Sequence, residues 1–97
     1  MKRKVILHHE AEAEIFGALD WYAARSALAA RAFVQELTSM VVLASRAPEI
    51  WPRTLGDVRR IVFPRFPFDL VFRLKGDLIE IVALAHHRRR PRYWRNR

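Results

Sequence analysis

The spacing of apolar residues along this chain predicts a strand followed by two helices. Residues 4–7 are a short apolar run with a β-branched pair, typical of a first strand. Within residues 10–22 the apolar side chains recur at steps of three and four, which places them on one helical face. A second row of this kind continues to about Arg46, with Ser26 as its predicted N-cap and Pro48 preventing continuation. The two helices are therefore expected to form a hairpin.

The second half of the chain shows the alternation that is typical of strands. Residues 57–63 and residues 68–74 alternate between apolar and polar positions, and Pro64 and Pro67 mark the turn between them. A glycine-bearing turn at residues 75–77 leads into residues 78–85, whose nearly continuous apolar run predicts a central strand buried on both faces. Residues 47–56, with two prolines and a glycine, are interpreted as a surface connection before these three strands.

Composition narrows the class of protein. Ninety-seven residues fit one domain covering residues 1–97, and 52% apolar residues exclude a disordered chain. No stretch approaches the roughly 18 uncharged residues of a membrane span, and the apolar part of the N-terminus is too short for a signal-peptide core. The absence of cysteine excludes disulfides and thiolate metal sites. We therefore expect a cytoplasmic globular protein without membrane contact.

The net charge of +8 lies entirely in the second half of the chain. Residues 1–52 hold six basic and six acidic side chains, whereas residues 53–97 hold twelve and four. The last thirteen residues carry six arginines, two histidines and a Tyr-Trp pair directly behind the apolar strand. Arginines without lysine favour recognition of phosphate or carboxylate by planar guanidinium groups, although such a segment also serves solubility alone. The distribution predicts a surface for a polyanion, whether nucleic acid, a nucleic-acid enzyme or an acidic peptide.

Four short segments, together with the order of elements, resemble the ParE/RelE toxin superfamily. They are Trp21-Tyr22 in the first helix, Arg59-Arg60 in the first hairpin strand, the FPF run of residues 66–68 and the AHHRRRPRYW run of residues 85–94. The last of these is especially similar to the ParE-like branch often described as plasmid stabilisation proteins. The resemblance implies an α+β protein of order β-α-α-β-β-β, in which a helical hairpin packs on a small curved antiparallel sheet and a basic C-terminal tail follows.

The resemblance also implies the toxin half of a type II toxin-antitoxin pair, neutralised by an antitoxin whose acidic, amphipathic segment wraps the toxin. Known members act in two ways: ParE-like toxins bind and inhibit DNA gyrase, and RelE-like toxins cleave messenger RNA in the ribosome. RelE-like nucleases resemble one another in an arginine at the position of Asp69, where a carboxylate would repel phosphate. Our leading hypothesis is a gyrase inhibitor that catalyses no reaction. The alternative is a metal-independent, ribosome-dependent endoribonuclease.

Candidate site residues follow from the same resemblance. An endoribonuclease would use Arg60, His87 and Tyr93 as cation and general acid or base. Binding of the target or the antitoxin is predicted for Arg59, Arg60, Arg88, Arg89, Arg90, Arg92, Tyr93 and Trp94. No cofactor and no metal is predicted, because the adjacent His86 and His87 of a strand point to opposite faces and make poor joint ligands.

Structural explanations for the same residues stay open. Arg59 shares a strand face with apolar residues, so a salt bridge to Glu80 or to an acid of the helices is the alternative to target contact. Tyr93 and Trp94 are more often tail anchors than contacts, and Trp94 is expected to pin the tail onto the domain. His86 is expected to hydrogen-bond the backbone or a carboxylate. A third hypothesis, from basicity alone, is a plain nucleic-acid-binding module.

Overall fold

The computed structural model describes residues 3–97 as a helical hairpin packed on one face of a five-stranded sheet. In chain order the elements are β1 (Lys4–Leu7), α1 (His9–Ala23), α2 (Ala27–Arg46), a short 3₁₀ turn (Pro48–Ile50), β2 (Arg53–Leu55), β3 (Val58–Val62), β4 (Phe68–Lys75) and β5 (Leu78–His86). Residues 87–97, called the tail below, continue mainly as turns. The α+β class and the helical hairpin between the first strand and the remaining strands are confirmed.

The sheet is mixed and has the strand order β1-β5-β4-β3-β2. β1 runs parallel to β5, and the other neighbouring strands are antiparallel. The expectation of a purely antiparallel sheet is therefore wrong for β1. The helical hairpin returns the chain to the end of the sheet at which β1 finished, so β2 runs opposite to β1. The chain then reverses direction three times between β2 and β5, and β5 therefore runs in the same direction as β1.

β2 lies within the segment that the sequence pattern indicated as a plain surface connection. The second half of the chain therefore contains four strands instead of the three predicted. Gly56, at φ +56°, begins a two-residue turn between β2 and β3, as Gly76, at φ +62°, does between β4 and β5. Glycine adopts this left-handed conformation without the steric cost that other residues incur. Each glycine is followed by aspartate. The repeated Gly-Asp dipeptide is the signal that would have located the additional hairpin.

Both helices begin at a side chain that caps the backbone. The Ser26 hydroxyl accepts a hydrogen bond from the N–H of Ala29 at 3.2 Å, which confirms Ser26 as the N-cap of α2. For α1 the same role falls to His8, whose Nδ1 accepts the N–H of Glu10 at 3.1 Å. These caps fix where the hairpin starts relative to β1.

The sheet carries a core on each face. The main core, between helices and sheet, contains the fully buried side chains Phe33, Leu70, Phe72, Ile79 and Ile81. On the opposite face, Trp94 of the tail packs with Val58, Val71, Val82, Ala83 and Ala85. Burial of an indole of this size, 5% exposed here, contributes about 4 kcal/mol. Trp94 thus anchors the tail, as expected, and β5 is central and buried on both faces.

β5 supplies side chains to both cores, and a bulge changes which of its residues face each core. Val71 lies opposite Ala83 and Phe72 opposite Ile81, so Val82 is the extra residue on β5. Val82 and Ala83 both belong to the smaller core, and Leu84 belongs to the main core. A bulge of this kind bends the strand and increases its local twist. The nearly continuous apolar run of residues 78–85 reflects this double role.

By length and composition helix α2 is apolar enough to cross a membrane, although Arg31 and Glu36 interrupt it, so the expectation that no uncharged stretch of such length occurs still holds. The core helix of a folded domain meets the same description. In this structure α2 packs on the sheet through Phe33 and Met40. It also carries the buried Glu36, whose carboxylate accepts the N–H groups of Arg65 and Phe66 at 3.0 Å.

Candidate functional site

Glu14, on α1, holds the tail at two positions. Its Oε2 accepts a hydrogen bond from the Tyr93 hydroxyl at 2.6 Å, and its two oxygens accept from the two terminal nitrogens of Arg97 at 2.9 Å. Oε1 also accepts the backbone N–H of Leu84 at 3.1 Å. One carboxylate therefore joins a helix, a strand and the tail.

The contacts of Glu14 lie where one edge of β5 has no neighbouring strand. β1 pairs with β5 only as far as Ile81, so the following residues of β5 lack a neighbouring strand on that side. Arg97 donates to the carbonyl oxygen of Val82 at 3.0 Å, and Glu14 accepts from Leu84. Because buried backbone groups need hydrogen-bond partners, these two side chains take the place of the missing strand.

The contacts with Glu14 also determine the protonation of Tyr93 and Arg97 and the orientation of the tail. Burial, and then the hydrogen bond and charge of Glu14, raise the pKa of the Tyr93 hydroxyl, with partial opposition from Arg97 and Arg89. The hydrogen bond to Glu14 is the main cause that raises the pKa of Arg97. Arg89 stacks on the Tyr93 ring, with its guanidinium carbon 3.8 Å from the ring centroid. Tyr93 is consequently a neutral hydrogen-bond donor held in place.

With the tail held in this way, a groove of about 430 Å³ opens between the tail and the sheet. Its apolar lining is formed by Val62, Val71, Ala85, Pro91 and Trp94, and its cationic side chains are Arg60, Arg89, Arg90 and Arg92, with the imidazole of His87 beside them. We call it the cationic groove. An apolar lining with cations around it suits a ligand that is both acidic and partly apolar.

Asp69 lies between the Arg60 guanidinium and the His87 imidazole of this groove. One carboxylate oxygen is hydrogen-bonded to Nε2 of His87 at 2.9 Å, and the other lies 3.4 Å from Nη1 of Arg60. Only 16% of the Asp69 side chain is exposed. A phosphate at this point would meet a negative charge, and the Arg60 and His87 side chains beside it already have a partner.

All three residues predicted for RNA cleavage line the cationic groove, but they do not all share one partner. Arg60 and His87 both contact Asp69, whereas the hydroxyl of Tyr93 is bound to Glu14. A general acid or base must reach the reacting atoms, and all three side chains are engaged with carboxylates of the protein itself. This arrangement disfavours phosphodiester cleavage.

A second groove, of about 420 Å³, lies between α1 and the ends of β4 and β5. Its lining includes Gly17, Ala18, Trp21, Tyr22, Phe68 and Leu84, and we call it the apolar groove. Trp21 is 53% exposed, and the guanidinium of Arg25 stacks on its ring at 3.5 Å. His86 and Arg89 line both grooves. The two grooves are therefore adjacent parts of one surface.

Most of the residues predicted to bind a target or antitoxin line the cationic groove: Arg60, Arg89, Arg90, Arg92, Tyr93 and Trp94. Arg59 lies elsewhere, because its guanidinium donates to the carbonyl oxygens of Glu49 at 3.1 Å and Trp51 at 2.7 Å. The alternative of a salt bridge from Arg59 to Glu80 is wrong, since Glu80 pairs with Arg73 at 2.8 Å. Arg59 thus holds the connection before β2 against the sheet.

His86 and Arg88, which flank His87, differ from the other predicted site residues in their contacts. His86 accepts the backbone N–H of Arg88 at 3.1 Å, which is the backbone hydrogen bond expected of it. Arg88 itself is exposed and lines neither groove. The predicted binding role of Arg88 remains a prediction.

Sequence reasoning missed Glu14 and the apolar groove, because the partners of α1 lie far along the chain. It also passed over a further cluster: the ligand atoms of His8, His9 and Glu10 lie within 4.8 Å of one another. The positive end of the α1 dipole disfavours a cation there. Nδ1 of His8 is already used as the helix cap, and the two imidazole rings are stacked at 4.4 Å. This cluster is better explained as a capping arrangement.

A helical hairpin thus lies on one face of a mixed sheet, and a cationic tail is anchored across the other face. The family described as "ParE toxin of type II toxin-antitoxin system, parDE" matches residues 5–91. The chain belongs to this ParE toxin family, which confirms the resemblance stated from the sequence.

Solved structures agree on the fold. Seven chains match, among them a protein of the "Chromosomal ParDE TA system from P. aeruginosa" with 22% identity and a TM-score of 0.73, over 88% of this chain and 96% of that chain. A search of curated proteins found no match.

Proposed function

We propose that this ParE toxin binds and inhibits DNA gyrase and catalyses no reaction of its own. The observation that carries the proposal is the engagement of Arg60 and His87 with Asp69, and of Tyr93 with Glu14. These contacts engage the side chains that an endoribonuclease would use, and the groove around them supports a role in binding. Membership of the ParE family supports the same choice.

The charges available for this binding lie at the rim of the cationic groove. Arg90 and Arg92 are exposed, and within residues 3–97 their side chains form no hydrogen bond or ion pair that would have to be broken. Cations placed in this way raise the association rate with an acidic partner and set its orientation. Because the tail is anchored by Trp94 and Glu14, little conformational entropy is lost when the surface is occupied.

A cognate antitoxin would neutralise the toxin through an acidic, amphipathic segment. Its apolar side chains would fill the apolar groove beside Trp21, and its acidic side chains would face Arg89. Since Arg89 lines both grooves, an occupied apolar groove also covers part of the surface offered to the target. The description of the similar P. aeruginosa structure as a ParDE system supports an antitoxin partner. Both interactions would take place in the cytoplasm.

The test is supercoiling by purified gyrase in the presence of the toxin. We expect inhibition by the wild-type protein and its relief by a cognate antitoxin. The double variant Arg90→Gln with Arg92→Gln should weaken inhibition about tenfold, or ~1.4 kcal/mol. A charge-matched control, Arg31→Gln with Arg46→Gln on α2, should inhibit like the wild type.

Two results would count against the proposal. Undisturbed supercoiling at saturating toxin would remove gyrase as the target. If the same protein also cut a reporter message during translation, the ribonuclease alternative would replace it.

A further inference from the structure

The part of the cationic groove around the largely buried Asp69, which we call its deep part, is already occupied by an anion that belongs to the protein. In the register of the sheet, Asp69 of β4 lies opposite Val62 of β3 and Ala85 of β5. Arg60 and His87, each two residues away from those partners, direct their side chains at Asp69 from the two sides. Within residues 3–97, Asp69 is the single carboxylate among the residues that line this groove.

The rim and the deep part of the groove therefore differ in charge. Arg90 and Arg92 at the rim carry charges that no described acidic side chain neutralises, whereas Arg60 and His87 share the carboxylate of Asp69. A nucleic-acid strand presents an anion at every nucleotide and would need cations along the whole groove. A protein segment can place a neutral or donor group opposite Asp69 and an acid at the rim.

We propose that Asp69 is a specificity-determining residue that excludes phosphate groups from the cationic groove and so reserves this face for a protein ligand. The carboxylate repels an incoming phosphate, and it holds the two side chains that would bind one. This inference is independent of the identity of the target, because it concerns which ligand chemistry the groove rejects.

Asp69→Asn tests the proposal, because it removes the charge and keeps the shape. Fluorescence anisotropy of a labelled single-stranded oligonucleotide, RNA or DNA, measures binding over a range of salt concentrations. We expect the variant to bind about tenfold more tightly than the wild type. The slope of log K against log salt should become steeper by about 0.7 for each additional phosphate contact.

Asp77→Asn is the matched control. It makes the same change in net charge at the turn that follows β4, at the opposite end of the strand from Asp69. A strand of this length puts the two positions roughly 25 Å apart, beyond the screening length at physiological salt. We expect its affinity for the oligonucleotide to rise by less than about threefold. Adding Arg60→Gln to Asp69→Asn should abolish the gain.

Equal gains in the Asp69 and Asp77 variants would overturn the proposal, because net charge alone would then explain them. An unchanged affinity in a folded Asp69→Asn protein would also overturn it. Circular dichroism and the urea midpoint establish that the variant is folded. If Asn disturbs β4, Asp69→Thr supplies the same loss of charge in a residue that favours strands. The assay contains no gyrase, so its outcome is separate from that of the supercoiling test.

Discussion

At the scale of single residues, Glu14 shows how one carboxylate can position a distant segment. It accepts hydrogen bonds from the backbone of Leu84, from Tyr93 and from two nitrogens of Arg97. Hydrogen bonds to a charged group contribute about 1.5–3 kcal/mol each before the ordering of the side chains is subtracted. The tail follows its observed path because these donors converge on one acceptor that α1 holds in place.

Replacing Glu14 with Gln removes this charge and keeps its shape. The Arg97 side chain, 10% exposed, would be left without a full counter-charge, so we expect the free energy of unfolding to fall by about 3 kcal/mol. Urea denaturation followed by circular dichroism measures the loss. Glu12→Gln, at an exposed position of the same helix, should stay within about 0.5 kcal/mol of the wild type. Equal losses in the two variants would contradict the role of Glu14.

At the scale of the element, α1 divides its surface between the main core and the apolar groove. Ala11, Ile15 and Leu19 pack on the core, whereas Gly17 and Trp21 line the groove. Glycine within a helix costs about 1 kcal/mol relative to alanine. A Cβ at Gly17 would meet no atom within 4 Å, so packing does not require glycine here. The absent side chain leaves the groove open.

Gly17→Leu should therefore stabilise the helix by up to ~1 kcal/mol and fill the apolar groove. We expect the variant to inhibit gyrase as the wild type does, because the tail is unchanged. Its affinity for the antitoxin should fall by about tenfold or more, measured by calorimetric titration. Gly17→Ala is the matched control, with added stability and little obstruction. Undiminished antitoxin affinity in Gly17→Leu would place the antitoxin segment elsewhere.

At the scale of the whole molecule, buried charge joins the helical layer to the sheet. Glu36 of α2 accepts the N–H groups of Arg65 and Phe66, between β3 and β4, and the Nε–H of Arg65 at 3.1 Å. Burial by itself raises the pKa of Glu36, but these donors and the guanidinium charge outweigh it and hold the pKa below its usual 4.5. The stability of the fold is thereby coupled to the ionisation of Glu36.

This coupling predicts how stability depends on pH. A carboxyl group whose pKa is lowered by folding stabilises the folded state above its unfolded pKa, and the contribution is lost as the pH falls toward the folded pKa. We expect the free energy of unfolding to decrease below about pH 4.5. Glu36→Gln should cost about 1–3 kcal/mol at neutral pH and make the acid decrease shallower.

Urea denaturation at several pH values between neutrality and the acid range measures this dependence. Glu12→Gln, which removes an exposed carboxylate, should keep the wild-type slope. If Glu36→Gln kept that slope as well, other carboxylates would have to account for the acid sensitivity.

Local sequence signals were sufficient to predict those structural features that depend on residues close together in the chain. Periodicity located α1 and α2, the Ser26 hydroxyl was the correct cap, and Gly76 was the correct turn. The arginine-rich segment likewise indicated where the cationic groove lies. The helices, the cap and the turn each depend on residues within about four positions of one another, which is the range that helix, cap and hairpin geometry covers.

The amino-acid sequence by itself determined both helices, all the strands except β2, the Ser26 cap and the half of the molecule that carries the positive charge. Only the tertiary structure decided which charges neutralise one another. Tyr93 and Arg97 reach Glu14 across 79 and 83 positions, and His87 reaches Asp69 across 18. Such pairs depend on strand register, on the bulge in β5 and on the parallel pairing of β1, none of which a local pattern contains. The cations left for a partner are those that folding does not pair.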